Sequence, residues 1–500
     1  MTQRFGLAAC LAAALLGAAA TAQADERGKA QQRRDYQATR AYYARLIAGT
    51  PQLAELTLFT TRLPKGGDIH HHYTGALYVE TYLDWVDKQG FCVYRATLRI
   101  ETRPPAGEPG KDCLTAAAVR ADNALYRNVL KRWSDKDFDN HYHEQPAPDQ
   151  QFFDTFGYFG PAAGYKPNEG LQLLRQRAKA ENLQYLETML GGAPTLDKPA
   201  PGEAPPAAAS RLDALAPDAG DAAVDAALGE LAAYLDQDAR TQQKLAAYKS
   251  DLAGYAQGID DADFTLRLQA YTSRNNPPST VFSGLYTGFA AAQGNPLIVG
   301  VNIVGPENGV VAMRDYGLHM RMFRFLKKRW PDTHLSLHAG ELALGMVPPE
   351  GLQNHIRDAV EIAGAERIGH GIDVVHEADA AGLLQLLKRR NVAIEINLSS
   401  NAFILGIARE AHPLTVYRRH GVPMVISTDD AGVSRNNLSG EYLLFASRYK
   451  PSYDELKQVV YASIRHAFLA PADRAEQLRR LDARFARFEA EIAAMSRRLK

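Results

Sequence analysis

Short runs rich in apolar and β-branched residues alternate along the chain with longer stretches of helical periodicity. The runs are Asp68–His72, Leu183–Thr188, Phe264–Tyr271, Leu297–Val304, His334–His338, Arg367–His370, Val392–Asn397 and Met424–Ser427. Between several of them, Tyr316–Arg329, Leu352–Ala363 and Ala380–Arg389 repeat apolar residues at the spacing of an amphipathic helix. Strands alternating with helices predict βαβ units and a parallel sheet. Eight such units over this length point to an α/β fold closed as a (β/α)8 TIM barrel, not an open sheet.

Some stretches fall outside that repeat. Residues 25–62 are charged, with Tyr42, Tyr43, Leu46 and Ile47 at helical spacing, and read as an N-terminal helical extension before a barrel domain over 63–500. Tyr78 to Gly170 is too long for one crossover, so it must hold extra helices and a polar, cysteine-bearing insertion over about 89–116. Residues 191–221, rich in Ala, Pro, Gly and Asp, read as a mobile linker, and residues 454–500 as a helical tail. There is no internal repeat and no Gly-rich phosphate loop.

Composition narrows the partner. Lys plus Arg and Asp plus Glu each total 57, so no basic excess draws the chain to nucleic acid, and a small molecule is the expected partner. Arg4, the apolar run Leu7–Ala20 and Ala22-Gln23-Ala24 before Asp25 read as an export signal over 1–24, too short for a membrane span. No later run reaches spanning length. The expected location is the periplasm if the source is Gram-negative, and otherwise outside the cell. Cys10 leaves with the signal; Cys92 and Cys113 remain as an even pair, open to a disulfide or to two buried thiols.

Four motifs carry chemistry. In Asp68-Ile69-His70-His71-His72, strand periodicity puts His70 and His72 on one face and His71 on the other. Leu335-Ser336-Leu337-His338-Ala339-Gly340-Glu341 ends an apolar strand in a histidine, with a carboxylate just beyond it as a candidate general acid or base. Arg367-Ile368-Gly369-His370-Gly371 holds a histidine between glycines, and Val425-Ile426-Ser427-Thr428-Asp429-Asp430-Ala431 runs a buried strand into paired carboxylates. Each has a bland explanation alone: a loop histidine run, a surface strand end, a turn histidine, a helix N-cap. Together they sit at the ends of predicted strands one, five, six and eight, which converge on one face of a barrel. Three histidines and an aspartate there form an N3O set open to water, the composition of a catalytic zinc centre.

These motifs, with Pro64-Lys65-Gly66-Gly67 before the first and the weaker Asn302-Ile303-Val304-Gly305 and Glu395-Ile396-Asn397-Leu398-Ser399-Ser400-Asn401, resemble the adenosine deaminase family, of the metal-dependent amidohydrolases. The Pro-Lys-Gly-Gly start, the signal, the helical extension and the cysteine-bearing insertion resemble its secreted, growth-factor-like branch. The resemblance implies one zinc ion per chain on His70, His72, His338 and Asp429. It implies Glu341 as the proton donor to purine N1, His370 as the residue that orients and helps activate the attacking water, and Asp430 as the partner of that water and of purine N7. It implies Gly305 as the backbone donor to purine N3, a Cys92–Cys113 disulfide, and a possible homodimer through the helical extensions. The implied reaction is deamination of adenosine or a related 6-aminopurine nucleoside. Asn302, Leu398 and Ala431 depart from residues common in the family, and bear on substrate preference. The rival readings are another metal-dependent barrel hydrolase, acting on a cyclic amide or ester, and an extracellular binding or signalling protein with a vestigial site.

Overall fold

The computed structural model describes residues 26–103, 112–136, 138 and 146–498; the signal reading for 1–24 lies outside them. Eight parallel strands are present: β1 (Gly67–Asp68), β2 (Tyr185–Met189), β3 (Thr265–Ser273), β4 (Ile298–Val304), β5 (Ser336–Ala339), β6 (Arg367–His370), β7 (Ala393–Ile396) and β8 (Met424–Ile426). They pair in chain order as β1-β2-β3-β4 and β5-β6-β7-β8. Single bridges between Val301 and Leu335, and between His71 and Asp429, join the two halves into a closed barrel. Every residue of β2 and of β5 to β8 is buried, as a sheet covered on both faces requires.

The closing seam is fixed by side chains from two motifs. Asp68 accepts from Thr428 Oγ1 at 2.6 Å and Thr428 N at 3.3 Å, tying β1 to the end of β8. Lys65, fully buried, donates to the carbonyls of Thr60 (2.7 Å), Leu63 (3.0 Å) and Glu181 (2.6 Å). Its ammonium thereby meets carbonyls left open at the end of the helix Leu53–Arg62.

The predicted extra elements are in place. Helices Val79–Lys88, Ala116–Ala121, Asn123–Arg132, Pro148–Phe159 and Pro167–Ala180 occupy the long β1-to-β2 connection. With them stands a small antiparallel sheet of Cys92–Tyr94, Ile100–Glu101 and Cys113–Leu114, stapled by a Cys92–Cys113 disulfide with Cα atoms 5.4 Å apart. The helix over 26–47 packs within its own chain: Tyr43 meets Phe59 and Tyr453, and Phe59 meets Phe488 of the C-terminal helix Pro471–Arg498. Residues 191–221 are more than a linker. They contain the helix Ala207–Asp213, anchored by buried Leu212, and Asp213 accepts from Ser279 N at 2.7 Å to cap the helix Pro278–Ala292. An alanine-rich helix without charged periodicity is hard to tell from a linker by composition. No described helix is long and apolar enough to cross a membrane.

Candidate active site

All four motifs meet at the C-terminal ends of β1, β5, β6 and β8. β1 stops at Asp68, so His70 and His72 stand beyond the strand, in a bend and a single bridge to Met189. They still converge. His72 Nε2 lies 3.2 Å from His338 Nε2 and 3.2 Å from Asp429 Oδ1, and His70 Nε2 lies 3.4 Å from the same oxygen. His71 faces away, its Nδ1 2.8 Å from Thr188 Oγ1. His370 and Asp429 both hold positive φ, +69° and +58°, a strained backbone for residues with a side chain and one that concentrates at functional sites. Gly369 is required there: a Cβ on it would lie 2.6 Å from His70 Cε1.

The atoms behind the histidines decide which nitrogen each one presents. Buried Glu395 accepts from His70 Nδ1 at 2.6 Å, which turns His70 Nε2 into the cluster, 3.4 Å from Asp429 Oδ1. Asn302 Oδ1 accepts from His338 Nδ1 at 2.9 Å and from Ile303 N at 2.8 Å, while its Nδ2 donates to Gln269. His338 therefore also turns a bare Nε2 inward. His370 is wired the other way. Leu414 N donates to His412 Nδ1 (3.0 Å), so His412 carries its proton on Nε2 and gives it to Asn401 Oδ1 (3.2 Å). Asn401 Nδ2 then donates to His370 Nδ1 at 2.9 Å. That chain places the His370 proton on Nε2, 3.7 Å from Glu341 Oε1. Although His70, His338, His370 and Asp429 have ligand-type atoms within 4.8 Å of one another, His370 offers a proton, not a lone pair. His70, His72, His338 and Asp429 are the set that fits a divalent cation.

Charge supports the same fit. Burial opposes a charge on His70, yet hydrogen bonds to Asp429 and Glu395 raise it to about 10, so the carboxylates around it call for a cation at this point. Asp429 is held well below the carboxylate range, against the cost of burial, by His70 and His72. Glu341 moves the opposite way: burial, with Asp429 and Glu307 nearby, holds it well above that range and keeps its proton. Its loop is gripped by buried Glu307, which accepts from Gly340 N (3.1 Å), Glu341 N (2.9 Å) and His355 Nδ1 (2.5 Å). Arg274 backs this carboxylate at 3.5 Å and donates to His338 O at 2.6 Å.

His72, His338, Asp429, Glu341 and His370 line a cavity of about 380 Å³, within the range of small-molecule sites. Asp430 and Gly305 join that lining. Phe152, Phe153 and Phe156, from the helix Pro148–Phe159, supply its aromatic wall, with Tyr271 and Met189. Trp133, in the same β1-to-β2 connection, is buried outside this lining and donates to Leu98 O. No lysine or arginine is among the described lining residues. Glu307, Arg274 and His412 escape a reading of the sequence because each is one polar residue whose partner is remote along the chain; Glu395 stands in a motif of the sequence, but its bond to His70 does not show there.

Residues 254–484 match the family model described as adenosine deaminase, a stretch that holds Gly305 and the motifs of β5, β6 and β8. That stretch, just under half of the chain, belongs to the adenosine deaminase family. Among its curated relatives, an Escherichia coli adenosine deaminase is 33% identical over 151 residues, 30% of this chain and 42% of that protein. A Rhizobium rhizogenes adenine deaminase is 31% identical over 232 residues, 46% of this chain and 66% of that protein. The matched stretches thus span less than two thirds of either relative. Solved structures share the barrel at 16% identity. An Arabidopsis N6-methyl-AMP deaminase covers 85% of this chain and 99% of its own at a TM-score of 0.55. A zinc-bound amidohydrolase from Burkholderia ambifaria covers 88% and 94% at 0.51. His70 and His72 lie outside the matched family stretch, and the geometry joins them to it.

Proposed function

We propose that this chain is a zinc-dependent hydrolase that converts adenosine or a related 6-aminopurine nucleoside to the 6-oxopurine and ammonia. The observation that carries this reading is the convergence of His70, His72, His338 and Asp429 at a cavity that a protonated Glu341 also lines. A zinc ion held by those four side chains would supply Lewis acidity and bring a water's pKa toward neutrality. Glu341 is placed to hand its proton to ring N1, which makes C6 electrophilic. His370, donating from Nε2, stabilises negative charge growing on the attacking oxygen instead of taking a proton from it. Asp430, its Oδ1 without a partner, is free for the incoming water and for N7. Water adds to C6, the C6–N6 bond breaks, and the amine leaves as ammonia. The three phenylalanines give the base an apolar wall, and a lining without lysine or arginine favours a nucleoside or free base over a nucleotide.

The test is ammonia release and 6-oxopurine formation from adenosine, 2′-deoxyadenosine and adenine by the zinc-loaded protein. Chelator-sensitive turnover abolished by Glu341→Gln supports the reading. Folded, zinc-loaded protein that turns over none of the three would overturn it. Residues 1–24 complete the proposal as an export signal, consistent with the secreted branch; recovery of a chain starting at Asp25 outside the cytoplasm would support it, and a cytoplasmic chain retaining Met1 would not.

A further inference from the structure

A second cavity, of about 430 Å³, lies at the N-terminal ends of β5, β6 and β7, across the barrel from the active site. Its wall carries Arg390, Arg465 and Arg474. Each is held by neutral oxygens: Arg390 Nη1 donates to Val360 O (3.0 Å), Arg465 Nη1 to Gln458 Oε1 (3.1 Å), and Arg474 Nη2 to Ala467 O (3.2 Å) and Leu469 O (3.0 Å). None of the three has an ion pair with a described carboxylate, although arginines elsewhere are commonly paired, as Arg329 is with Asp236 and Arg418 with Glu455. The one carboxylate on the wall, Glu366, is engaged by His334 at 2.8 Å and Lys327 at 3.8 Å. Arg367 also reaches the cavity, lying over the Phe468 ring at 3.8 Å, but Glu187 (2.6 Å) and Glu395 (2.7 Å) balance it. The whole chain carries no net charge, so this is local surplus and not a general excess. His466 gauges the field: burial and the charges of Arg367, Arg474 and Arg465 push it down to about 4.

We propose that this basin is a binding site for a small, multiply charged oxyanion of phosphate or phosphate-ester chemistry. Guanidinium groups fixed by carbonyls keep their remaining N–H donors oriented, and planar forked donors suit tetrahedral oxyanions. Pre-orientation lowers the entropy cost of binding. The site is separate from the catalytic cavity, which lacks such donors, so it does not depend on the deaminase reading.

Calorimetric titration of the full chain at low ionic strength, with inorganic phosphate and separately with ribose 5-phosphate, tests the proposal. Saturable binding is expected for one or both, weakened at least about tenfold in the Arg465→Gln/Arg474→Gln double variant and unchanged in Glu341→Gln. Tighter binding of the ester would assign a phosphate ester as ligand; equal or tighter binding of phosphate would assign the free ion. The double variant should stay folded and keep its turnover, since neither residue touches the catalytic cavity. No saturation up to about 10 mM, or equal binding by the native chain and a folded double variant, would overturn the site.

Discussion

Asn302 turns its carbonyl oxygen toward His338, and Asn401 turns its amide nitrogen toward His370. The same side chain thus gives two nearby imidazoles opposite tautomers, one to bind a metal and one to donate a proton. Asn401→Asp tests this, because a carboxylate would draw the His370 proton to Nδ1. We expect kcat to fall by about 100-fold or more with KM changed little, since a wrong tautomer preserves binding but not chemistry. Imidazole ¹⁵N spectra should show the moved proton, and an unmoved proton would count against the wiring. Glu307 offers a second test. Arg274 and His355 overcome burial to hold it at about 2, below its ordinary 4.5. A depressed carboxylate stabilises the fold fully above about pH 4.5 and loses that contribution as pH falls toward 2. Glu307→Gln should therefore melt lower at neutral pH, and its melting temperature should fall less steeply on acidification than the native one. His338, His370 and the aspartate pair were legible because each ends a largely apolar run, Glu341 because it follows one closely, and His70 and His72 because they alternate within a histidine cluster. Glu307 and His412 were not, since an isolated polar residue gives no sign of a partner far along the chain.

At the level of elements, most barrel strands stand out in the sequence because strands buried on both faces are rich in apolar and β-branched residues. Their ends are less legible: β1 is two residues long, and the histidines that follow it are placed by the β8 seam rather than by strand periodicity. The disulfide-bearing sheet supports the site indirectly. Arg99, beside its second strand, donates to Gly157 O and stacks over Tyr158, both in the helix that bears the pocket phenylalanines. A bond closing a loop with sequence separation 21 contributes about 3 kcal/mol in the chain-entropy account. Cys92→Ser/Cys113→Ser should speed hydrogen exchange in residues 92–101 and 148–159, raise KM, and leave exchange in β5 to β8 unchanged. Faster exchange throughout the barrel would show that the sheet supports more than the pocket wall.

At the scale of the molecule, the proposed metal ligands come from β1, β5 and β8, and so straddle the seam where the barrel closes. A cation there joins the first strand to the last. Removing it should lower the melting temperature by several degrees as well as stop turnover, because a ligand that binds only the folded state stabilises it. Calorimetry with and without chelator checks this; an unchanged melting temperature would mean that Asp68–Thr428 and the single bridges hold the seam unaided. The cavity itself has two owners. The reacting groups stand on barrel strand ends, whereas the aromatic wall is lent by a helix inserted between β1 and β2. Selectivity and reactivity are therefore encoded in separate stretches of the gene, and a mutant library confined to positions 152, 153 and 156 can explore new purine substituents while the catalytic set stays untouched.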